Sequence, residues 1–272
     1  MSSIRVRAPA VAGAFYPLQA STLSNEVARM LADALRDAGA RAVPKAIIVP
    51  HAGYIYSGAT AALAYAQLAA ARAIIRRVVL LGPVHRVPVR GLALPGVDRF
   101  ATPLGEIAID RAGVAAISHL PQVVESVSAH ALEHSLEVQL PFLQAVLDDF
   151  TLLPLAVGDA SAAEVAQVLE ALWDGPQTLI VVSSDLSHFL PYDSAQAVDR
   201  KTAQDVLDLR PGLTHAQACG ATPVNGLLLA ARQHALRPRL LDLCNSGDSA
   251  GDRKRVVGYA AFAFTPQSDH AA

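Results

Sequence analysis

The sequence predicts an α/β protein, one compact domain over residues 1–272 in which a mixed, mostly parallel central sheet is flanked by helices. Three observations predict it. Short runs of Val, Ile and Leu alternate with longer segments of helical spacing, the pattern of strands covered on both faces. The chain is 52% hydrophobic over 272 residues, enough apolar material for a large core. Neither an internal repeat nor a linker long enough to separate domains interrupts it.

Taken in order, "AIIVP" (46–50), "RVVLLG" (77–82), "FTLLPLAVG" (150–158) and "TLIVVSSD" (178–185) read as buried strands, and "GLALPG" (91–96) as a shorter one. Helical spacing marks 21–38, 59–71, 135–148, 162–172, 193–209 and 223–235. Beyond these, "RPRLLDLC" (237–244) and "RVVGYAAFAF" (255–264) read as two further strands joined by "NSGDSAGDRK". The closing "TPQSDHAA" reads as a frayed tail, which leaves a core of about 8–264.

Composition excludes several classes of function. The 22 basic and 24 acidic residues nearly balance, and no Lys/Arg block is present to track a phosphate backbone, so nucleic acid is not an expected partner. The N-terminus "MSSIRVRAPAVAGAFYP" lacks the basic-then-apolar order of a signal peptide, and no apolar run reaches the roughly 18 residues a membrane span needs. Two cysteines, Cys219 and Cys244, are too few for a disulfide framework. Together these features lead us to expect a cytoplasmic protein that binds no membrane.

The chemistry-bearing residues lie where strands end. In open α/β sheets, ligands bind beyond the carboxyl ends of the strands, where loops converge on a rigid support. His51 follows "AIIVP", His85 follows "RVVLLGPV" and His188 follows "TLIVVSSDLS". Glu133 and His134 open the predicted helix of "EHSLEVQLPF", with Glu137 one turn on. Neutral imidazoles bind first-row divalent metals, but a stable site usually adds a third ligand, often a carboxylate or thiolate. Cys219, in "QACGATPVNGLLLA", is a candidate: Gly220 lets the backbone turn, and a thiol beside a helix N-terminus and a metal has a lowered pKa. A packed apolar thiol is the other reading of Cys219, and the one we adopt for Cys244. His119, His130, His215 and His234 have no convergent partner in sequence and read as surface residues, with His270 in the tail.

The ordered segments "AGAFYP", "VPHAGYIYSG", "LLGPVH", "TPLGEIAID", "EHSLEVQLPF", "VVSSDLSHF", "CGATPVNGLL" and "GYAAFAF" resemble the successive motifs of the Memo family, whose microbial members are known as AmmeMemoRadiSam system protein B. That resemblance implies a fold similar to the catalytic subunits of class III extradiol dioxygenases, non-haem iron enzymes that open catechol rings. It implies His51 and His85 as metal ligands and His188 as the acid and base beside the metal. Cys219 stands where those dioxygenases use a glutamate, and Asp185, Glu133 and His134 line the same cavity. A thiolate in that position favours copper, zinc or a redox-active iron over ring-cleaving Fe(II), so catechol cleavage does not follow from the fold. The implied cofactor is one transition metal ion, iron or copper, with zinc able to replace it on purification. The implied partners are an AMMECR1-like protein, a radical SAM enzyme or a phosphorylated peptide.

Three functions stay open on these residues: a metal-dependent, dioxygenase-like oxidoreductase; a peptide- or partner-binding cleft that has lost catalysis; and metal-free catalysis by Cys219 with His188 as base. Gly53 and Gly58 are expected to let "AGYIYSG" fold back over the cavity. Tyr54 and Tyr56 then either wall it or pack ordinarily.

Overall fold

Each of the four long aliphatic runs forms a strand at the centre of one sheet. The computed structural model describes residues 4–36, 42–249 and 252–267. Its strands are β1 (Val6–Arg7), β2 (Ala46–Val49), β3 (Arg77–Pro83), β4 (Leu92–Leu94), β5 (Arg99–Thr102), β6 (Gly105–Ala108), β7 (Val123–Glu125), β8 (Thr151–Val157), β9 (Thr178–Ser183), β10 (His188–Leu190), β11 (Leu236–Asn245) and β12 (Val256–Pro266). The helices are α1 (Ala20–Arg36), α2 (Tyr54–Ala66), α3 (Arg111–Ile117), α4 (Val127–Ala131), α5 (Leu140–Val146), α6 (Ala162–Ala171), α7 (Tyr192–Leu207), α8 (Ala221–Gln233) and α9 (Ser246–Ser249).

The main sheet runs β10-β12-β2-β9-β3-β8-β4-β7, with β11 added on β12. Its centre is parallel, β2 on β9, β9 on β3 and β3 on β8, while β12 joins antiparallel to β2 and β4 antiparallel to β8. A small second sheet, β1-β5-β6, is paired separately and meets the main one where Ile109, just after β6, bridges to Leu152 of β8. Period-two alternation sends Ile47, Val49, Val78 and Leu80 into one core with α1, α2 and α5, and Ala46, Ile48, Val79 and Leu81 into the other with α6, α7 and α8. The result is one α/β domain with a mixed, mostly parallel sheet between two helical layers. Each of these aliphatic side chains is essentially fully buried, and each Val, Leu and Ile among them adds about 1.5–3 kcal/mol of hydrophobic stabilisation relative to exposure.

Several expectations need correction. The helix expected over 59–71 runs Tyr54–Ala66, followed by a short 3-10 turn at Ala69–Ala71. "GYIYSG" is therefore the start of a helix and not a loop folded over the cavity. Gly58 is there for close approach, because a Cβ on it would lie 2.7 Å from Met30 Sδ of α1. The segment 135–148 is a 3-10 turn, Glu137–Gln139, leading into α5. His130 is buried, 2% exposed, with Nε2 2.7 Å from the Ala93 carbonyl, and is no surface residue. The end of the helix expected to reach 38 lies outside the described residues, as do positions 268–272 of the expected tail. Thr265 and Pro266 of that tail belong to β12.

Candidate metal centre

The carboxyl ends of β2, β9 and β3, neighbours at the middle of the sheet, deliver the site. His51 stands two residues beyond β2 and His85 two beyond β3, while Ser183 ends β9 between them and Ser184 and Asp185 follow it. Parallel pairing of Val49 with Ser183 brings those ends level, and Ser184 N–H donates to the Val49 carbonyl at 2.9 Å.

The imidazole rings of His51, His85 and His134 pack together, with centroids 5.2 Å, 5.4 Å and 4.6 Å apart for the pairs 51–85, 51–134 and 85–134. One ligand atom from each falls within 4.8 Å of the other two. The hydrogen bonds around them fix the tautomers. The Ser183 hydroxyl donates its proton to the Ser135 carbonyl at 2.6 Å, so it must accept from Gln139 Nε2 and from His51 Nδ1, each at 2.9 Å. His51 is therefore protonated on Nδ1, and its Nε2 carries the lone pair of the ring. Glu133 does the same for His85: Oε1 takes the ring Nδ1–H at 2.9 Å and Oε2 the His85 backbone N–H at 2.7 Å. The same Oε1 lies 3.3 Å from His134 Nδ1. His188 donates Nδ1–H to the Leu186 carbonyl at 2.8 Å, which frees its Nε2 as well.

Electrostatics keep these lone pairs available. Burial, then the neighbouring imidazoles, holds His51 well below the usual histidine range. Burial likewise lowers His134 to about 4, against the pull of Glu133, and lowers His188. The 3.9 Å approach of Asp185 to His51 Nε2 is accordingly a contact with a neutral ring, not an ion pair. Burial opposes ionisation of Glu133, but the His85 ring and the Ser135 and His85 N–H groups outweigh it and hold the carboxyl at about 2. Asp185 goes the other way: burial raises it to about 7, although its Oδ1 accepts the His51 N–H at 2.7 Å.

Cys219 lies against His51 Nε2, outside the group of ligand atoms that His51, His85 and His134 bring within 4.8 Å of one another. Its Sγ is 3.3 Å from His51 Nε2 and accepts the Asp185 N–H at 3.3 Å, while its own N–H donates to the Asp185 carbonyl. An imidazole nitrogen and a thiolate sulfur on one tetrahedral or flatter ion stand roughly 3.3–3.6 Å apart at ordinary bond lengths, so this spacing suits a shared ion. Burial and the Asp185 carboxylate push the metal-free thiol up to about 12, whereas the lowering expected from the sequence belongs to a thiolate beside a metal. The metal-free thiol therefore holds its proton, and the imidazole within its reach is His51, not His188. Gly220 contributes space more than a turn, since a Cβ there would stand 2.7 Å from the Ser184 Cβ.

Thus the structure brings His51, His85, His134, Glu133, Asp185 and Cys219 into one site, with His188 opening β10, which β12 separates from β2 in the sheet. Tyr54 is buried with its hydroxyl on the Val138 carbonyl, whereas Tyr56 is 40% exposed. Cys244 is half-buried beside the Thr60 hydroxyl at 3.1 Å, as a packed thiol. Sequence reasoning missed Ser183, Ser135 and Gln139, which set the His51 tautomer. The "SS" before Asp185 was the available signal, a polar pair closing an otherwise aliphatic strand.

The fold and site define a class: an α/β protein that collects imidazoles and a cysteine beyond the ends of central strands, beside buried carboxylates. The chain belongs to the Memo-like protein family, whose profile matches residues 7–263. MEMO1 family proteins of Methanosarcina barkeri and Aquifex aeolicus are each 36% identical to it, over 94% and 96% of this chain and 98% and 100% of the relatives. An uncharacterized protein of Escherichia coli K12 has a similar fold, at a TM-score of 0.50 and 14% identity over 80% of this chain and 98% of its own.

Proposed function

We propose that this protein is a metal-binding redox protein in which His51 and His85 hold one iron or copper ion with Cys219 as third ligand. The observation that carries the proposal is the set of imidazoles whose Nδ1–H groups are committed to Ser183 and Glu133, leaving Nε2 lone pairs on one site. Outer partners of this kind orient metal-bound histidines in general. His134 is the alternative third donor, since it completes the cluster with His51 and His85.

The chain's own residues would divide the work. Glu133 orients His85 and His134 and places one negative charge beside the cation. Cys219 gives up its proton on ligation, and His188, neutral with Nε2 free, holds or passes a proton next to the metal. When bound, a thiolate-ligated iron or copper supplies one-electron and oxygen chemistry. No helix among the described residues is long and apolar enough to cross a membrane. A cytoplasmic site of action is part of the proposal, to be tested by fractionating the native host. As partners we propose the AMMECR1-like protein and radical SAM enzyme that the resemblance implies, to be tested by co-purification from the same source.

Oxygen uptake tests the redox role. Protein reconstituted anaerobically with Fe(II) or Cu(I) is expected to consume oxygen with a reductant or catechol present, and His188→Ala to keep its metal while losing uptake. Metal-independent, saturable peptide binding with no uptake under any condition would replace this reading with the partner-binding cleft.

A further inference from the structure

The loop that carries Glu133 and His134 is held from one side by the strand ends, through Ser183 on the Ser135 carbonyl, Ser135 on the Pro83 carbonyl and the His85 N–H on Glu133. From the other side it is held by the N-terminal segment. Arg7, in β1, spends its whole guanidinium on this loop: Nε donates to the His130 carbonyl at 3.0 Å, Nη2 to the Glu133 carbonyl at 2.7 Å, and Nη1 to the Glu137 carboxylate. Side-chain exposure is 5% for Arg7 and 0% for Glu137, so the pair is shielded from water. Glu137 in turn gathers the segment after β1, accepting the Ala10 and Val11 N–H groups at 2.7 Å and 3.0 Å and the Tyr16 hydroxyl at 2.6 Å. The same segment then reaches the other side of the site. The Phe15 ring lies 4.8 Å from the His134 ring, and the Phe15 carbonyl accepts the Tyr54 N–H, three residues past His51.

We infer that Arg7 is a positioning residue of the metal centre: through Glu137 and residues 10–16 it sets where Glu133 and His134 stand relative to His51. A buried ion pair by itself adds little net stability, because desolvation offsets its attraction. A guanidinium that also satisfies two carbonyls of one loop fixes that loop's path, and this is the property a ligand-orienting carboxylate needs. Lysine cannot do the same, since a single ammonium does not span the three acceptors.

The inference rests on the metal-centre reading for its chemistry, so the experiment reads the loop with and without metal. In apoprotein carrying labelled histidines, Arg7→Lys is expected to shift the ring resonances of His85 and His134 and to leave His234 in place. With Co(II) as the probe, the same variant is expected to bind about tenfold more weakly than wild type and to show an altered visible spectrum. Millimolar guanidinium added to Arg7→Gly should restore both signals. Tyr16→Phe removes only one donor to Glu137 and covers the case in which the Arg7 variants do not fold; it should move the same two histidines by a smaller amount. Unchanged His85 and His134 resonances in Arg7→Lys, or in Tyr16→Phe where that variant must be used, would overturn the inference. Shifted resonances in Arg7→Lys, together with a wild type that takes up no Co(II), would uphold the positioning role and remove the metal reading instead.

Discussion

Glu133 takes the Nδ1–H of His85 and the backbone N–H groups of His85 and Ser135 on one buried carboxylate. Neutralising it should therefore act on the metal and not on the fold alone. Glu133→Gln is expected to weaken metal affinity by roughly 10–100-fold, measured by competition with a chromophoric chelator. The Cys219 thiol gives a second prediction. Its apo pKa of about 12 means the proton must leave on ligation, so apparent affinity should rise about tenfold per pH unit near neutrality. Cys219→Ser should flatten that slope by one proton, whereas a slope unchanged by the substitution assigns the third position to His134. The strand-end histidines were legible in the sequence because a rigid strand followed by Pro, Gly or Ser leaves few places for the next polar side chain. The tautomers were not legible, since they depend on a serine and a carboxylate supplied by other strands and loops.

At the scale of elements, β10 and its turn place His188. Leu186 N–H donates to the Gly258 carbonyl, Gly258 N–H to the Ser187 carbonyl, and Ser187 N–H to Asp199 Oδ1 of α7 at 3.0 Å. Phe189 takes φ of 60°, a left-handed conformation that few side chains adopt, where the β10–β12 register shifts. A Cβ on Gly258 would fall 2.0 Å from Asp199 Oδ2. We expect Gly258→Ala to destabilise the protein by roughly 1–3 kcal/mol in denaturant titrations and to disturb His188 before the other histidines. The long buried strands were readable from their aliphatic runs. Elements β5, β6, α3, β7 and α4, between residues 99 and 131, were not, because segments of three to seven residues fall below the length at which periodicity separates helix from strand. The shift of α2 toward the N-terminus has a similar cause: its alanine-rich body marks no end, and its start is set by the Tyr54 N–H on the Phe15 carbonyl, a contact between distant parts of the chain.

Across the whole molecule, buried histidines make stability depend on pH. His130 is held at about 4, below its ordinary 6.5, so the unfolded chain binds the proton first as pH falls. Its contribution is fully present above about 6.5 and is lost down to about pH 4, by roughly 3 kcal/mol in all. Asp185, raised to about 7 from 3.8, works in the opposite sense over an overlapping window, so the His130 share must be read as a difference. Wild type minus His130→Gln in urea unfolding at pH 7 and pH 4.5 should reveal it, and parallel stabilities at both pH values would contradict it. His130 also marks the limit of sequence reading: burial by β4, α4 and Arg7 is a property of the assembled fold, and no local pattern announces it.

The central claim is that His51, His85 and Cys219 hold a redox metal at the ends of adjacent strands. Anaerobic metal analysis of protein purified from the native host, run beside His51→Ala, His85→Ala and Cys219→Ser, tests it most directly. Near-stoichiometric iron or copper is expected in wild type, with its loss in all three folded variants. Folded variants that keep the wild-type metal content would contradict the ligand assignment, and stable metal-free wild type that cannot be reconstituted would contradict the claim as a whole.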